Sequence, residues 1–337
     1  MRVPRLFTRP PAFWQRRTPG LVARLLSPIG QVYGARVAAR MARAGRRVEV
    51  PVLCVGNFTL GGSGKTPMAL AIAELLIEAG ERPVFLTRGY GGSIRGPALV
   101  DTDDRADRVG DEPLLLARLA PTIVAADRVA GAQRAIEAGA SVIIMDDGFQ
   151  NPSLAKSGAI VVVDGEAGIG NGLSFPAGPL RAPLYAQTPF ATAVVIIGPG
   201  EAGERVAAYA RGAARPVFRA ALEPAAAPDL AGRRVLAFAG IGRPEKFQAT
   251  LAAMGAEIAA FEAFPDHHPY SEAEAVALAT RAQAERLLPV TTEKDHARLS
   301  GGPARKALAS MSLPVPVGIR FEDEAGIRRL LLGLLRH

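Results

Sequence analysis

The 337-residue chain is 49% hydrophobic and 21% charged, which excludes a disordered protein and is long enough for two domains. Its single cysteine, Cys54, excludes a disulfide framework and a cysteine-based zinc site, and no apolar run approaches the roughly 18 residues that a spanning helix requires. The net charge of +8 is concentrated at one end: residues 1–47 hold eleven arginines and no acidic residue, so the remainder is slightly acidic.

That basic segment also carries Leu6, Phe7, Phe13, Trp14, Leu21, Val22, Leu25, Leu26, Ile29, Val32 and Tyr33. Leu21, Leu25, Ile29 and Val32 fall at helical spacing, with Pro28 expected to kink or divide the helix. Arginine beside Trp, Phe and Leu suits the interface of an anionic membrane better than nucleic acid. Part of the segment is expected to pack on the body of the protein. No signal-peptide core is visible, and a lone cysteine in an apolar run suits the cytosolic side of a membrane.

Residues 50–55 read as a buried strand and residues 68–79 as a helix with apolar positions at Met68, Ile72, Leu75, Leu76 and Ala79. Between them lies Thr59-Leu60-Gly61-Gly62-Ser63-Gly64-Lys65-Thr66, a phosphate-binding loop in the context that such a loop needs. Gly61, Gly62 and Gly64 let backbone N–H groups converge on phosphate oxygens, and the helix N-terminus adds partial positive charge. Lys65 can reach the outer phosphates, and the Thr66 hydroxyl can sit on Mg²⁺. Thr59 stands where the usual pattern has a glycine.

Strands follow at 83–87, 122–125, 142–145, 160–163 and 193–197, with helices at 112–119 and 131–138. Alternation of this kind predicts a P-loop-type α/β fold: a parallel sheet with helices on both faces and ligands at the carboxyl ends of its strands. Arg88-Gly89-Tyr90-Gly91 and Asp146-Asp147 would then join the phosphate loop on one edge. Either aspartate could hold Mg²⁺, since two adjacent buried carboxylates are costly without a cation. Asp111, in Gly110-Asp111-Glu112-Pro113, could accept a hydroxyl proton or cap a helix. Arg181, on the stiff loop 176–181, could bind a phosphate.

A second, smaller α/β block begins near residue 218, with strands at 235–239, 258–264, 288–292 and 315–321 and helices from 244 and 271. Ser271 and Glu274 form a capping box. The end, 325–335, is an amphipathic helix. Asp266-His267-His268 lies after a strand, where one histidine could bond a catalytic carboxylate. Thr292-Glu293-Lys294-Asp295 does not fit the guanine-selective pattern, so nothing argues for GTP. The segments are therefore 1–47 (basic and membrane-docking), 48–217 (phosphate-loop domain), 218–321 (smaller domain) and 322–337 (C-terminal helix).

Taken in order, Val55-Gly56-Asn57, Gly61 to Pro67, Arg88 to Gly91, Gly110 to Pro113, Asp146 to Gln150, Pro176 to Arg181, Asp266 to His268 and Thr292 to Asp295 resemble the tetraacyldisaccharide 4′-kinase family. The resemblance implies transfer of the ATP γ-phosphate, with Mg²⁺, to the 4′-hydroxyl of an acylated glucosamine disaccharide 1-phosphate, forming lipid IVA in lipid A synthesis. It implies two α/β/α domains joined by a β-stranded linker, and a peripheral protein on the cytoplasmic face of the bacterial inner membrane, bound to anionic lipid. No nucleic acid and no obligate protein partner are expected. By this resemblance Asp111 is the catalytic carboxylate, assisted by His267 or His268, with His268 the one expected. Lys65 and Arg181 are catalytic too, residues 59 and 61–66 bind nucleotide, and Thr66, Asp146 and Asp147 bind metal. Arg88, Tyr90, Glu112 and Arg181 are the expected substrate contacts. The competing reading is a membrane-associated P-loop ATPase acting as a switch or scaffold. Such loops carry a lysine directly before the first glycine, where this chain has Leu60.

Overall fold

The computed structural model of the chain describes residues 11–225 and 229–336; Leu6 and Phe7, named above as membrane-docking, lie outside them. Nine strands build the large sheet: β1 (Val52–Gly56), β2 (Pro83–Thr87), β3 (Ala98–Leu99), β4 (Thr122–Val124), β5 (Val142–Asp146), β6 (Gly158–Asp164), β7 (Ala193–Ile197), β8 (Val217–Pro224) and the late strand Val317–Phe321. Between β8 and that last strand lie β9 (Arg234–Ala239), β10 (Glu257–Ala263), β11 (Leu288–Thr292) and β12 (Leu313–Val315), which makes Val317–Phe321 β13. The large sheet runs β13-β8-β7-β6-β1-β5-β2-β4-β3, and the small one β10-β9-β11-β12. All pairs are parallel except β3 with β4 and β13 with β8, at the two edges of the large sheet.

The central strands are apolar throughout because both faces are covered. On one face pack Val37 and Met41 of the helix Leu21–Met41, Ala132 and Ala135 of Arg128–Glu137, and Val206 and Ala210 of Glu201–Gly212. The other face takes Met68, Ile72 and Leu76 of the helix Lys65–Glu78, with Ile327 and Leu331 of the C-terminal helix Glu324–Leu335. The small sheet is likewise sandwiched, with Phe247 and Leu251 on one face and Leu278, Ala282 and Leu308 on the other. Fold class thus agrees with the sequence reading, including the β-stranded linker: β8 leads out of the large sheet and β13 returns antiparallel to it.

Two local expectations change. The run 315–321, read as one strand, is divided: Val315 ends β12 in the small sheet, and Val317–Phe321 crosses to the large one. Leu21–Met41 is one helix with Pro28 inside it and is not divided there. Packing of its face Gly30, Gly34, Val37 and Met41 outweighs one lost backbone bond.

Candidate active site

β1 ends at Gly56, and residues 57–64 turn the chain into the helix Lys65–Glu78. Gly64 is left-handed, at φ +84°, and a Cβ there would lie 2.7 Å from the Ile197 side chain, so the loop admits only glycine at this point. The first-turn N–H groups of that helix are left facing outward, where an anion can accept from them. Lys65 Nζ lies 3.4 Å from the Gly61 carbonyl and 3.9 Å from Asp147 Oδ1. Arg181 braces the loop: its Nε donates to the Thr59 carbonyl at 2.9 Å, and its Nη1 donates to Gln150 Oε1 at 3.2 Å. Its Nη2 lies 3.1 Å from Asp147.

Asp146 ends β5 beside the loop, and Thr66 Oγ1 donates to its Oδ2 at 3.5 Å. Burial, then the neighbouring Glu112 carboxylate, pushes Asp146 up to about 7. Asp147 behaves oppositely: burial would raise it, but Arg181 and Lys65 hold it well below the ordinary carboxylate range. Among the described residues, six buried side-chain atoms lack a hydrogen-bond partner. Four of these, Asn57 Oδ1, Ser63 Oγ, Asp146 Oδ1 and Arg128 Nε, lie at the carboxyl edge of the large sheet. Native interiors rarely leave such atoms unpaired, so their concentration marks where a polar ligand belongs. A carboxylate short of positive charge, next to a threonine hydroxyl, fits a divalent cation. Among the described residues no three acidic, histidine or cysteine side chains cluster to hold a metal unaided. Mg²⁺ commonly takes one or two carboxylates and completes its shell with phosphates and water.

Asp111 opens the helix Asp111–Ala117 and is 4% exposed. Gly110 sets its place at φ +100°, where a Cβ would lie 2.6 Å from the Tyr90 carbonyl. Asp111 Oδ2 receives Arg298 Nε at 2.8 Å and lies 3.4 Å from His267 Nδ1. Burial alone would raise its pKa, but His267, Arg298 and Lys294 hold it well below the usual range. His267 is disfavoured as a cation by burial, yet its bond and attraction to Asp111 raise its pKa above the ordinary value. The Tyr90 ring meets the His267 ring edge-on, with centroids 5.1 Å apart. Glu112 accepts from Lys294 Nζ at 2.7 Å.

The structure therefore gathers residues 61–66, Asp146, Asp147, Arg181, Asp111, Glu112, Tyr90 and His267 on one edge, and Arg88 is exposed at its rim. It corrects the choice of histidine. His268 Nε2 lies 2.9 Å from Glu274 Oε1, in the capping box, while His267 faces Asp111. Sequence reasoning missed Arg298, Lys294, Gln150 and Arg128 as members of the site. The Thr292-to-Asp295 motif was the available signal, since Lys294 and Arg298 sit in and just after it. Trp14, read as membrane-facing, is 5% exposed; its Nε1 donates to the Pro176 carbonyl at 3.0 Å.

A phosphate loop on a parallel sheet, with a hydroxyl–carboxylate pair suited to a divalent cation, defines a P-loop protein of the phosphoryl-transfer class. The chain belongs to the tetraacyldisaccharide 4′-kinase family: the family model described as Tetraacyldisaccharide-1-P 4′-kinase matches residues 22–336. Tetraacyldisaccharide 4′-kinase of Methylorubrum populi is 55% identical over 328 residues, covering 97% of this chain and 99% of that one. The protein of the same name from Methylobacterium nodulans is 57% identical over 331 residues, 97% and 96% of the respective chains. The solved structure described as the "apo" form of LpxK from Aquifex aeolicus in complex with ATP is similar at a TM-score of 0.74 and 26% identity, covering 94% of this chain and 100% of that one. The switch or scaffold reading is not favoured.

Proposed function

We propose that this protein transfers the γ-phosphoryl group of ATP to the 4′-hydroxyl of a tetraacylated glucosamine disaccharide 1-phosphate, giving lipid IVA in lipid A biosynthesis. Beyond family membership, one observation carries the site assignment: a buried carboxylate, Asp111, is held between His267 and Arg298 in the same charged cluster as the phosphate loop. The loop N–H groups and Lys65 bind the outer phosphates, and Ser63 and Asn57 supply polar atoms without other partners. Thr66 and Asp146 would hold Mg²⁺, with Asp147 beside them, and the ion would supply neutralising charge for the transferred phosphoryl group.

Arg298 and His267 both engage Asp111 Oδ2, which leaves Oδ1 for the acceptor hydroxyl. The hydroxyl oxygen bonds to phosphorus, the bond from phosphorus to the ADP oxygen breaks, and the hydroxyl proton passes to Asp111. A carboxylate with so low a pKa is a weak base, so its first contribution is orientation, with proton transfer late in a loose transition state. The exposed Arg88 and the buried, unpartnered Nε of Arg128 supply positive charge for a phosphate, and burial, then Arg88, lowers the Arg128 pKa. Tyr90 and Glu112 complete the acceptor side.

The lipid substrate gives the N-terminal helix its role. Leu21, Val22, Leu25, Ile29 and Val32 are each more than half exposed. They form a stripe opposite the packed face, with Arg24 and Arg36 also exposed. No described helix is long and apolar enough to cross a membrane. This stripe would dock peripherally on anionic lipid at the cytoplasmic face of the inner membrane. The test is mass spectrometry of the lipid after incubation with ATP, Mg²⁺ and tetraacyl disaccharide 1-phosphate. One added phosphate on the disaccharide is expected; ATP hydrolysis with unmodified lipid would defeat the proposal.

A further inference from the structure

Asp295 is completely buried at the end of the small sheet. Its Oδ1 accepts from the Gly240 N–H at 2.9 Å and from the Tyr270 hydroxyl at 3.0 Å, and its Oδ2 from the Thr292 hydroxyl at 2.6 Å. Arg298, one helical turn on, adds a bond from Nη1 to Asp295 Oδ1 at 2.8 Å and another to the Gly240 carbonyl at 2.7 Å. One end of the guanidinium is thus fixed entirely within the small domain. Its other nitrogens, Nε and Nη2, reach the large domain and both bond Asp111 Oδ2.

We propose that Arg298 is a positioning residue for the reaction: it carries the small domain's hold on Asp111, so the carboxylate reaches its working geometry only when that domain is seated. The proposal rests on the reading of Asp111 as the group that receives the acceptor proton. Neighbouring bridges across the same contact are partly exposed: Lys294–Glu112 has side chains 28% and 18% exposed, and Arg118–Glu293 46% and 25%. The Arg298–Asp111 pair is 6% and 4% exposed. Docking two domains does not require burying a charge pair, and burial is costly unless the geometry is fixed by further bonds. Here those bonds are present, from Nη1 to Asp295 and Gly240, and the two remaining nitrogens converge on one oxygen of Asp111. When the domains part, Arg298 keeps Asp295 and Gly240, whereas Asp111 loses Arg298 and His267 together.

The groups facing Asp111 are Arg298, Lys294 and His267 from the small domain and Glu112 from its own helix, with Asp295 and Asp266 behind the first and third of these. Arg298→Met keeps much of the volume and removes the charge. Its kcat should fall about 10²-fold, the scale of a misplaced catalytic group, with the KM for ATP within about twofold of wild type. ¹³C NMR of the aspartate carboxyls should show Asp111 titrating at least about one unit higher, and the acid limb of kcat should move up with it. Arg298→Lys should restore the acid limb while recovering only part of kcat, since one ammonium cannot bridge both sides. If Arg298→Met does not fold, Arg298→Lys alone carries the test through its lowered kcat at unchanged KM for ATP. Unaltered kcat and Asp111 titration in Arg298→Met would overturn the proposal. So would an activity loss equal at every pH with a raised KM for ATP, which is the mark of a purely structural tie. Near-normal turnover in Asp111→Asn would instead remove the proton-acceptor reading, and with it the catalytic consequence drawn for Arg298. The carboxyl titration reads the Arg298–Asp111 coupling independently of that outcome.

Discussion

Asp146 is held at a cost in the free protein, because its carboxylate is buried with one oxygen unpartnered. Its folded pKa, about 7, lies above the ordinary 3.8, so the folded state binds a proton that the unfolded chain has released. Stability of the nucleotide-free protein should therefore fall as pH rises from about 4 to about 7. Asp146→Asn should remove that slope and stabilise the free protein at pH 8 by on the order of 2 kcal/mol, while Mg²⁺-dependent activity is lost. Thermal melting across pH checks it; an unchanged slope would mean that Asp146 is neutralised in some other way. Lys65→Ala should stay folded and lose at least about 10³-fold in kcat, since its charge matters most as the phosphoryl group moves. Circular dichroism and the kinase assay together decide that. The two histidines separate cleanly. His267→Ala should lower kcat by about 10²-fold, and His268→Ala should chiefly loosen the helix Glu272–Ala284 at its capping box while turnover persists.

At the scale of elements, the N-terminal helix has one buried and one exposed face. Ala23, Gly30, Gly34, Val37 and Met41 are buried, and Leu21, Leu25, Ile29 and Val32 are exposed. Serine at Leu21, Leu25 and Ile29 should reduce binding to anionic vesicles and raise the apparent KM for lipid, with little change for ATP, because the phosphate loop is a separate element. Trp14→Ala should behave differently. It removes a buried ring that meets Phe175 edge-on, so it should cost about 3 kcal/mol of stability. Vesicle sedimentation and melting curves distinguish the two classes of variant. An equal loss of vesicle binding in both would contradict the division of faces.

Across the whole molecule, two charged contacts join the small domain to the large one among the described residues. One is the contact of Asp111 and Glu112 with Arg298 and Lys294. The other joins Arg243 and Lys246 to Asp164 at the end of β6, at 3.0 and 2.6 Å, with Glu166 alongside. Burial alone would raise Asp164, but Lys246, the Ala167 N–H and Arg243 hold its pKa below the ordinary value. Its contribution is therefore present above about pH 4 and lost as pH falls below that. Asp164→Asn should loosen the seat of the small domain. Faster amide exchange in the helix Pro244–Ala253 and a lower kcat at unchanged KM for ATP are expected. Unchanged exchange there would show that the Asp111–Arg298 contact holds the domains together without Asp164.

Much of this was local in the chain. The apolar runs of β2, β5 and β7 and the glycines before Lys65 announce themselves, because strand burial and phosphate-loop geometry depend on neighbours in sequence. Asp146-Asp147 and Asp111 were legible for the same reason: each sits at the end of a readable element. The helix Glu201–Gly212 was not, since its buried stripe is mostly alanine and glycine. Other features had no local signature at all. Which of two adjacent histidines meets Asp111 depends on the turn at His267, whose φ of +56° aims one ring across the cleft and leaves the other with Glu274. Whether Trp14 meets lipid or protein depends on a loop 162 residues away. Arg298 and Asp111 are 187 residues apart, and they meet only where the small domain packs against the large one. The sequence by itself determined the phosphate loop, because that loop is built within one strand–loop–helix segment. The tertiary structure decided how Asp111 meets His267 and Arg298, because that contact is built between domains, where burial and ion pairing follow from distance in space.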